Sequence, residues 1–446
     1  MRKRSNRRNF LKSSAAVGMG YWVIPGVSVA RADSPNEKVN FACIGVGGKG
    51  DSDTNDAGQY GNIVALCDVD DNRLNKMGEK YPNAKKFNDY RKMLEELGNQ
   101  IDAVTVSTPD HTHAPASVMA MRMGKHCFCQ KPLTWSVHEA RVMRELAAEK
   151  KLATQMGNQG TAHDGFREGI EVIQSGILGP IQEIHVWTNR PVWPQGIKRP
   201  TGTPGIPNHV HWYEFLGPAQ DRPYHPSYAP FNWRGWLDFG TGALGDMACH
   251  TLNIAFHALK LVDPQTIEVV DTSGIVDNET FPKWSIIRTD FGQRGDLPPL
   301  TMTWYDGGHS LPKEKRVPDA LLQGEPRPGS GLLLVGKEGS FFSKNDYGSE
   351  YVLLPKEKFK DIKKPEPRLP RVGGNHFKEF VDSIKGGPPA MSNFEAAGRL
   401  TETVLLGVVA LRAGTKIEWD PVNMKAKGCP QADQYIRREY RKGYEV

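Results

Sequence analysis

The chain has 446 residues, a length that predicts two domains, and its 38% hydrophobic and 24% charged residues are typical of a soluble globular protein. Its net charge of +6 does not indicate nucleic-acid binding. Residues 1–32 carry seven of the 57 basic residues and no acid, so the remainder has 50 basic against 51 acidic side chains.

The first 32 residues have the features of an export signal. Arg7-Arg8-Asn9-Phe10-Leu11-Lys12 precedes the mildly apolar segment Ser13–Val29, and Ala30-Arg31-Ala32 provides an A-x-A cleavage site. The paired arginines resemble the twin-arginine signal. We therefore expect the twin-arginine export machinery to handle this protein, and a periplasmic or otherwise exported mature form without a stable membrane span. A basic, disordered arm is the alternative.

Residues 33–162 alternate strand-like apolar runs with helical patterns, which is typical of a parallel sheet covered on both faces. Ligands of such folds bind beyond the carboxyl ends of the strands. The predicted strands are Val39–Ile44, Ile63–Asp68, Ala103–Ser107, His126–Cys129 and Leu152–Met156, and the helices between them include Arg91–Gly98, Ala114–Met123 and Val137–Lys150.

A glycine-rich turn follows the first strand. The segment Gly45-Val46-Gly47-Gly48-Lys49-Gly50 has the spacing G-x-G-x-x-G, which lets the backbone and the next helix approach a pyrophosphate. The second strand ends in Asp68, about 20 residues past the loop, where an acid can hold the adenosine ribose hydroxyls. Because an acid repels the extra phosphate of NADP, the sequence favours NAD. The alternative is an ordinary turn followed by an exposed acid.

Three polar groups stand at the ends of predicted elements. The hydroxyls and imidazoles of Ser107–His113 could line the cofactor crevice or form only a turn with a helix N-cap. Lys131, at the end of a parallel strand, would stabilise a developing alkoxide, unless it is a surface lysine. Asp246 and His250 share one helix face, where the carboxylate can orient the imidazole and raise its pKa for proton transfer. A capping acid with a buried histidine is the alternative for this pair.

Residues 163–425 predict a second domain, and 426–446 a tail. The strands Ile181–Trp187, Ile267–Asp271, Trp284–Asp290, Leu300–Trp304 and Leu332–Val335 have few helices between them, which predicts an antiparallel sheet. The helical spacing of Glu395–Arg412 predicts an amphipathic helix. None of the six cysteines forms a C-x-x-C pair, so we expect no metal or redox site.

Together these elements resemble the Gfo/Idh/MocA family of NAD(P)-dependent sugar oxidoreductases, from Val39 to about Asp420. The resemblance rests on the Gly45–Gly50 loop, Asp68, Thr108-Pro109 with His113, Lys131-Pro132, and Asp246 with His250. It implies an α/β protein with an N-terminal Rossmann domain and a C-terminal α+β domain whose open sheet is mostly antiparallel.

The resemblance also assigns roles to residues. Lys131 corresponds to the catalytic lysine of the family's E-K-P motif, His250 to the acid/base, and Asp246 lies beside it at the substrate hydroxyls. The implied cofactor-binding residues are Gly45, Gly47, Gly48, Lys49, Gly50, Asp68, Thr108, Pro109, His113 and Gln130. Gln130 departs from the family's glutamate, which removes a charge that would pair with a cation and puts the pKa of the lysine and the positioning of the cofactor in question.

The segment 188–240 is too long for a simple loop, which indicates a functional role. It is rich in tryptophan, and aromatic faces suit sugar rings. We expect substrate contacts from Trp193, His211, Trp233 and Arg234, although these aromatics could instead pack a long loop or a subunit interface.

The predicted function is oxidation of a hydroxyl of a sugar, polyol or glycoside by hydride transfer to NAD. Redox-neutral glycoside cleavage through transient ring-hydroxyl oxidation is an alternative, because a soluble NAD pool is not expected outside the cytoplasm. A non-catalytic sugar-binding relative is a third hypothesis, supported only by Gln130. Because the twin-arginine route carries folded proteins, we expect tightly bound NAD. The open sheet predicts a homo-oligomer.

Overall fold

The N-terminal part is built around a parallel sheet. The computed structural model describes residues 38–446, so the predicted signal at 1–32 lies outside the described residues. The elements in chain order are β1 (Val39–Ile44), α1 (Lys49–Tyr60), β2 (Gly61–Cys67), α2 (Asp71–Lys80), β3 (Lys85–Phe87), α3 (Tyr90–Leu97), β4 (Ala103–Val106), α4 (Asp110–Arg122), β5 (His126–Cys129), α5 (Val137–Lys150) and β6 (Thr154–Met156).

The six strands of this sheet are all parallel and lie in the order β3-β2-β1-β4-β5-β6. The central strands β1 and β4 are buried almost throughout, because helices cover both faces of the sheet. The order reverses between β1 and β4, and the crevice beyond their carboxyl ends is where such folds bind ligands. The predicted Rossmann domain is confirmed.

The C-terminal part carries a larger sheet. Its elements are α6 (Asp164–Gln174), β7 (Ile181–Trp187), α7 (Trp212–Leu216), α8 (Gly242–Thr251), α9 (Asn253–Leu259), β8 (Thr266–Thr272), β9 (Ser285–Phe291), β10 (Leu300–Tyr305), β11 (Gly331–Gly336), β12 (Ser340–Ser343), β13 (Tyr351–Leu354), α10 (Lys356–Phe359), α11 (His376–Ile384), α12 (Phe394–Ala413), β14 (Ile417–Asp420) and β15 (Lys425–Lys427). The nine strands lie in the order β13-β12-β11-β7-β10-β9-β8-β14-β15.

All neighbours in this second sheet are antiparallel except β7 and β10, which run parallel. The predicted open, mostly antiparallel sheet is therefore confirmed. Part of its outer face carries charged pairs, such as Arg288 with Glu268. Within residues 38–446, no helix has both the length and the apolar character that a bilayer crossing requires.

The long helix α12 places the two parts against each other. It packs on α5 of the first part and on α8 of the second. The helices α12 and α8 approach closely at Gly407, where an added Cβ would lie 2.6 Å from Leu244 Cδ2. This packing fixes α8, which carries Asp246 and His250, opposite the end of β5, which leads into Lys131. The tail also returns to the first part, where His138 N–H donates to the carbonyl of Ile436.

Candidate active site

The glycine loop lies between β1 and α1, and its close packing accounts for its glycines. A Cβ on Gly50 would lie 1.9 Å from the carbonyl oxygen of Gly45, and one on Gly45 would lie 2.7 Å from that of Ser107. Gly48 has φ +58° and borders open space. Among the described residues, no side chain caps α1. The N-terminus of this helix and the loop at Gly48 therefore form a cradle that suits an anion, although the N–H groups of Gly50 and Asp51 donate to loop carbonyls.

Asp68 lies beside this cradle, at the end of β2. Its Oδ2 accepts hydrogen bonds from the N–H groups of Val46 (2.8 Å) and Gly47 (3.2 Å), and its Oδ1 accepts one from Asp70 N–H. Burial raises the pKa of the Asp68 carboxyl, although these hydrogen bonds oppose the shift. A carboxylate has further lone pairs to accept from ribose hydroxyls. The side chain of Arg73 packs over Gly47, and a Cβ added to Gly47 would lie 2.3 Å from Arg73 Cδ.

A strap from the C-terminal part, residues 207–211, crosses the end of β2. Asp71 N–H donates to the carbonyl of His209 at 2.9 Å, and His211 N–H donates to that of Val69 at 2.8 Å. His211 Nε2 also lies 3.0 Å from Asp71 Oδ1. The backbone pairing of the strap thus fixes His211 beside the end of β2, next to Asp71, and its contact with a substrate stays a prediction.

A charged cluster lies at the opposite end of the crevice, after β5. Lys131 Nζ donates to Asp246 Oδ1 at 2.8 Å and to its carbonyl oxygen at 3.0 Å, and Arg234 Nε lies 3.3 Å from the same Oδ1. Burial raises the pKa of Asp246, but Lys131 and Arg234 outweigh it and hold that pKa below its usual value. Burial lowers the pKa of Lys131, but Asp246 outweighs it and raises that pKa. Two cations thus share one carboxylate, which leaves a positive charge on the cluster.

His250 is oriented by Asn158 and not by Asp246. Its Nδ1 lies 2.7 Å from Asn158 Oδ1, while Asn158 Nδ2 donates to the carbonyl of Cys249 at 2.7 Å. Since Oδ1 must accept, His250 carries its proton on Nδ1, and Nε2 is left with a lone pair. Burial, followed by the charge of Lys131, lowers the pKa of His250 to about 3. Asp246 raises this pKa, as expected, but burial and the charge of Lys131 outweigh its effect, so the net shift is downward.

The turn after β4 connects the two ends of the crevice. Thr108 and Pro109 form it, and Pro109 is the N-cap of α4. The ring of His113 lies between the carbonyls of Pro132 (2.8 Å) and Thr108 (2.9 Å). Burial lowers the pKa of His113 to about 4, so the neutral ring donates to only one of them. Both ring nitrogens contact the backbone, so His113 fixes the turn next to Lys131, and its contact with the cofactor stays a prediction.

Gln130 and Lys49 share a partner that the sequence did not single out, Asp53 on α1. Gln130 Nε2 donates to Asp53 Oδ2 at 2.9 Å, and Lys49 Nζ lies 2.7 Å from Asp53 Oδ1. Both residues line a cavity of about 480 Å³ that also borders Gly157 and Gln159, beyond the end of β6.

The aromatic residues of the segment 188–240 mainly support Arg234. Trp193 and Trp233 are buried, and the Trp193 indole N–H donates to Gln195. The guanidinium of Arg234 lies 4.2 Å from the ring centre of Trp233 and 4.7 Å from that of Phe231. Trp193 and Trp233 therefore pack the long segment, and Arg234 is the residue of this group that reaches Asp246.

Sequence reasoning missed Asp53, Asn158 and Tyr347. Asn158 follows the last strand of the first sheet, so the rule that polar residues beyond parallel strands face the ligand could have found it. Tyr347, whose ring lies 5.2 Å from that of His250, comes from a distant loop and has no such signal. Among the described residues, no group of His, Cys, Asp or Glu gathers as metal ligands would.

This fold and crevice define a dinucleotide-binding protein of the Rossmann class. The chain matches the family model for the NAD-binding Rossmann fold of the Gfo/Idh/MocA oxidoreductases over residues 39–158, and that for their C-terminal alpha/beta domain over 170–293. The chain belongs to the Gfo/Idh/MocA oxidoreductase family.

Its relatives include dehydrogenases of polyols and glycosides. The chain is 29% identical to inositol 2-dehydrogenase of Salmonella typhimurium over 127 residues, which are 28% of this chain and 37% of that protein. It is 31% identical to D-glucoside 3-dehydrogenase of Escherichia coli over 217 residues, 47% of this chain and 51% of that protein. The chain therefore spans about half or less of the length of these relatives.

A solved structure extends the likeness of fold to most of the chain. The WlbA dehydrogenase of Chromobacterium violaceum, crystallised with NADH and UDP-GlcNAcA, superposes with a TM-score of 0.62 at 15% identity. The superposition covers 90% of this chain and 99% of that chain.

Proposed function

We propose that this protein is an NAD-dependent oxidoreductase that acts on a hydroxyl of a sugar, polyol or glycoside. The observation that carries the proposal is the arrangement of Lys131, Asp246 and His250 after β5 and on α8, where His250 Nε2 has a lone pair and the imidazole lies within the electrostatic influence of the Lys131 ammonium. This pairs a proton acceptor with a cation beside the glycine-loop crevice. The names of the relatives, inositol 2-dehydrogenase and D-glucoside 3-dehydrogenase, support a polyol or sugar substrate.

The described residues fit a dinucleotide. The cradle at Gly48 borders open space beside a helix N-terminus without a side-chain cap, which suits the pyrophosphate, and Asp68 would accept hydrogen bonds from the adenosine ribose. Thr108, Pro109, Lys49 and Gln130 lie toward the other end of the crevice, on the side of Lys131. When bound, the nicotinamide supplies the acceptor or donor of a hydride.

The chain's own groups manage the proton and the charge. His250 Nε2 takes the proton of the substrate hydroxyl, and its Nδ1–H stays on Asn158. The Lys131 ammonium stabilises the alkoxide that develops as the hydride leaves. Asp246 holds that ammonium in place, and Arg234, which donates to the same carboxylate, offers further hydrogen bonds to neighbouring hydroxyls.

We expect an Asn158→Leu variant to lose turnover by about 10²-fold, because His250 Nδ1 loses its acceptor and Nε2 is no longer the defined base. Asn158→Asp keeps an acceptor for Nδ1 and should retain more turnover than Asn158→Leu. Steady-state rates of NADH formation measure both. Asn62→Ala, on the exposed edge of β2, is the control. Equal rates for Asn158→Leu and the wild type would refute this role.

The strap over the end of β2 supports a resident cofactor. Residues 207–211 pair with the backbone beside Asp68, and a strap in this position would slow release of a nucleotide from that end of the crevice. This observation also favours redox-neutral glycoside cleavage as the second candidate function, because that chemistry returns the hydride and needs no exchange of nucleotide.

The test is to release the nucleotide from purified protein by heat and identify it by mass spectrometry. We expect NAD(H) near one per chain, with NADP(H) a minor species, since Asp68 disfavours a 2′-phosphate although Arg73 lies close by. A panel of sugars, polyols and glycosides is then assayed with and without added NAD. Product formed without added NAD supports the redox-neutral reaction, while a strict need for stoichiometric NAD supports net oxidation. Protein that binds no dinucleotide would exclude both.

We further propose that the protein is exported by the twin-arginine route and assembles through the open face of its second sheet. The paired arginines and the A-x-A site support the first proposal. Fractionation of cells that express the full chain, compared with an Arg7→Lys/Arg8→Lys variant, tests export. Light scattering of the purified protein tests assembly.

A further inference from the structure

We infer that Asp53 is a positioning residue of the dinucleotide site, and that residue 130 must be uncharged because Asp53 already holds the negative charge there. The inference rests on the proposed function, since it assigns the surroundings of the proposed cofactor. It accounts for Gln130, where the family resemblance led us to expect a glutamate.

Asp53 is the centre of a small polar network. It is 1% exposed, and three donors surround its carboxylate. Lys49 Nζ lies 2.7 Å from Oδ1, while Gln130 Nε2 (2.9 Å) and Ser107 Oγ (2.7 Å) both donate to Oδ2. These partners come from the glycine loop and from the ends of β4 and β5. One buried carboxylate therefore connects the three segments that line the crevice around the Thr108 turn.

Gln130 uses both ends of its amide. While Nε2 donates to Asp53, Oε1 accepts from the backbone N–H of Lys131 at 3.3 Å. The amide of Gln130 also packs closely on Gly157, where an added Cβ would lie 2.5 Å from the amide atoms. Gln130 therefore has no room to turn away from Asp53. A glutamate here would therefore place a second carboxylate against Asp53, and two buried carboxylates in contact cannot both stay ionised.

The network acts on the groups nearest the proposed cofactor. Lys49 opens α1 directly after Gly48, and Asp53 fixes its ammonium at a separation of four residues along this helix. Gln130 holds the backbone N–H of Lys131, so its amide sets the start of the segment that carries the charged cluster. Adding a charge to the network should therefore disturb dinucleotide binding as well as local packing.

Isosteric variants test this by moving the charge. Gln130→Glu adds a carboxylate next to Asp53, Asp53→Asn removes one, and the double variant Asp53→Asn/Gln130→Glu restores one carboxylate and one amide in exchanged positions. Asp382→Asn, which removes the carboxylate of an exposed pair with Lys378 four residues apart on α11, is the matched control. The Kd for NADH is measured by fluorescence on protein freed of nucleotide, and the melting temperature is recorded for each variant without nucleotide.

We expect Gln130→Glu to raise the Kd for NADH at least tenfold. The double variant should bring the Kd back to within about threefold of the wild type. Two independent sites would not show such a coupling. Asp382→Asn should bind as the wild type does. The inference is overturned if Gln130→Glu lowers the melting temperature but leaves the Kd unchanged, or if the double variant shows only the sum of the two single effects. Wild-type protein that binds no NADH overturns the inference and the proposed function together, whereas failure of the inference alone leaves wild-type binding intact.

Discussion

A Lys131→Met variant should lose hydride transfer by about 10³-fold while keeping its dinucleotide. In the structure the Lys131 ammonium lies 2.8 Å from Asp246 and is held charged by that carboxylate, which outweighs burial. It is the cation placed to stabilise an alkoxide beside His250. Methionine fills the same space without charge, so the substitution removes the electrostatic contribution and little of the packing.

The measurement separates chemistry from folding. Turnover is followed on the best substrate of the panel, nucleotide content by absorbance of the released NAD(H), and the fold by melting temperature. Asp246 keeps Arg234 as a partner, so its buried charge is not left alone and the protein should fold. Lys378→Met, an exposed lysine paired with Asp382 on α11, is the control. Turnover of Lys131→Met within threefold of the wild type would exclude the lysine from the reaction.

Local patterns predicted the first sheet well. The strands Val39–Ile44 and His126–Cys129 and the helix Val137–Lys150 have the expected bounds, because buried parallel strands are continuous apolar runs and Ser136 with Glu139 forms a capping box. The predicted helix at Ala114 in fact begins at Asp110, since Pro109 caps it. Polar residues at strand ends were found for the same reason: the carboxyl edge of a parallel sheet is known once its strands are known.

Pairings between distant segments could not be predicted. Helical spacing predicted that Asp246 and His250 share one helix face. It could not predict the partners that bind them, since Lys131 lies 115 residues from Asp246 and Asn158 lies 92 residues from His250. The same limit explains His211, whose position follows from the backbone pairing of the strap with Val69 and Asp71. Gln130 appeared as a defect in a motif until Asp53, 77 residues away, supplied its partner.

Acid should destabilise this protein through its buried histidines, and His376 offers the clearest test. Burial, followed by the charge of Lys49, lowers the pKa of His376 to about 3. The unfolded chain takes up this proton near pH 6.5 and the folded chain does not, so the contribution of His376 to stability is complete above pH 6.5 and is lost as pH falls. Between pH 6.5 and 4 the loss is about 1.4 kcal/mol per pH unit, or about 3 kcal/mol in all.

A His376→Gln variant isolates this contribution. Glutamine can still bond to Ser392, whose hydroxyl lies 3.1 Å from His376 Nε2, but it does not titrate. Buried carboxyls such as Asp110, whose pKa burial raises to about 7, titrate with the opposite effect, so the difference between variant and wild type is the quantity to measure. In urea unfolding from pH 7.5 to 4, the curves of variant and wild type should run parallel above pH 6.5. Below it the free energy of unfolding should fall less steeply for the variant, by about 1.4 kcal/mol per pH unit. A His376→Gln curve that runs parallel to that of the wild type would show that His376 takes up its proton without unfolding.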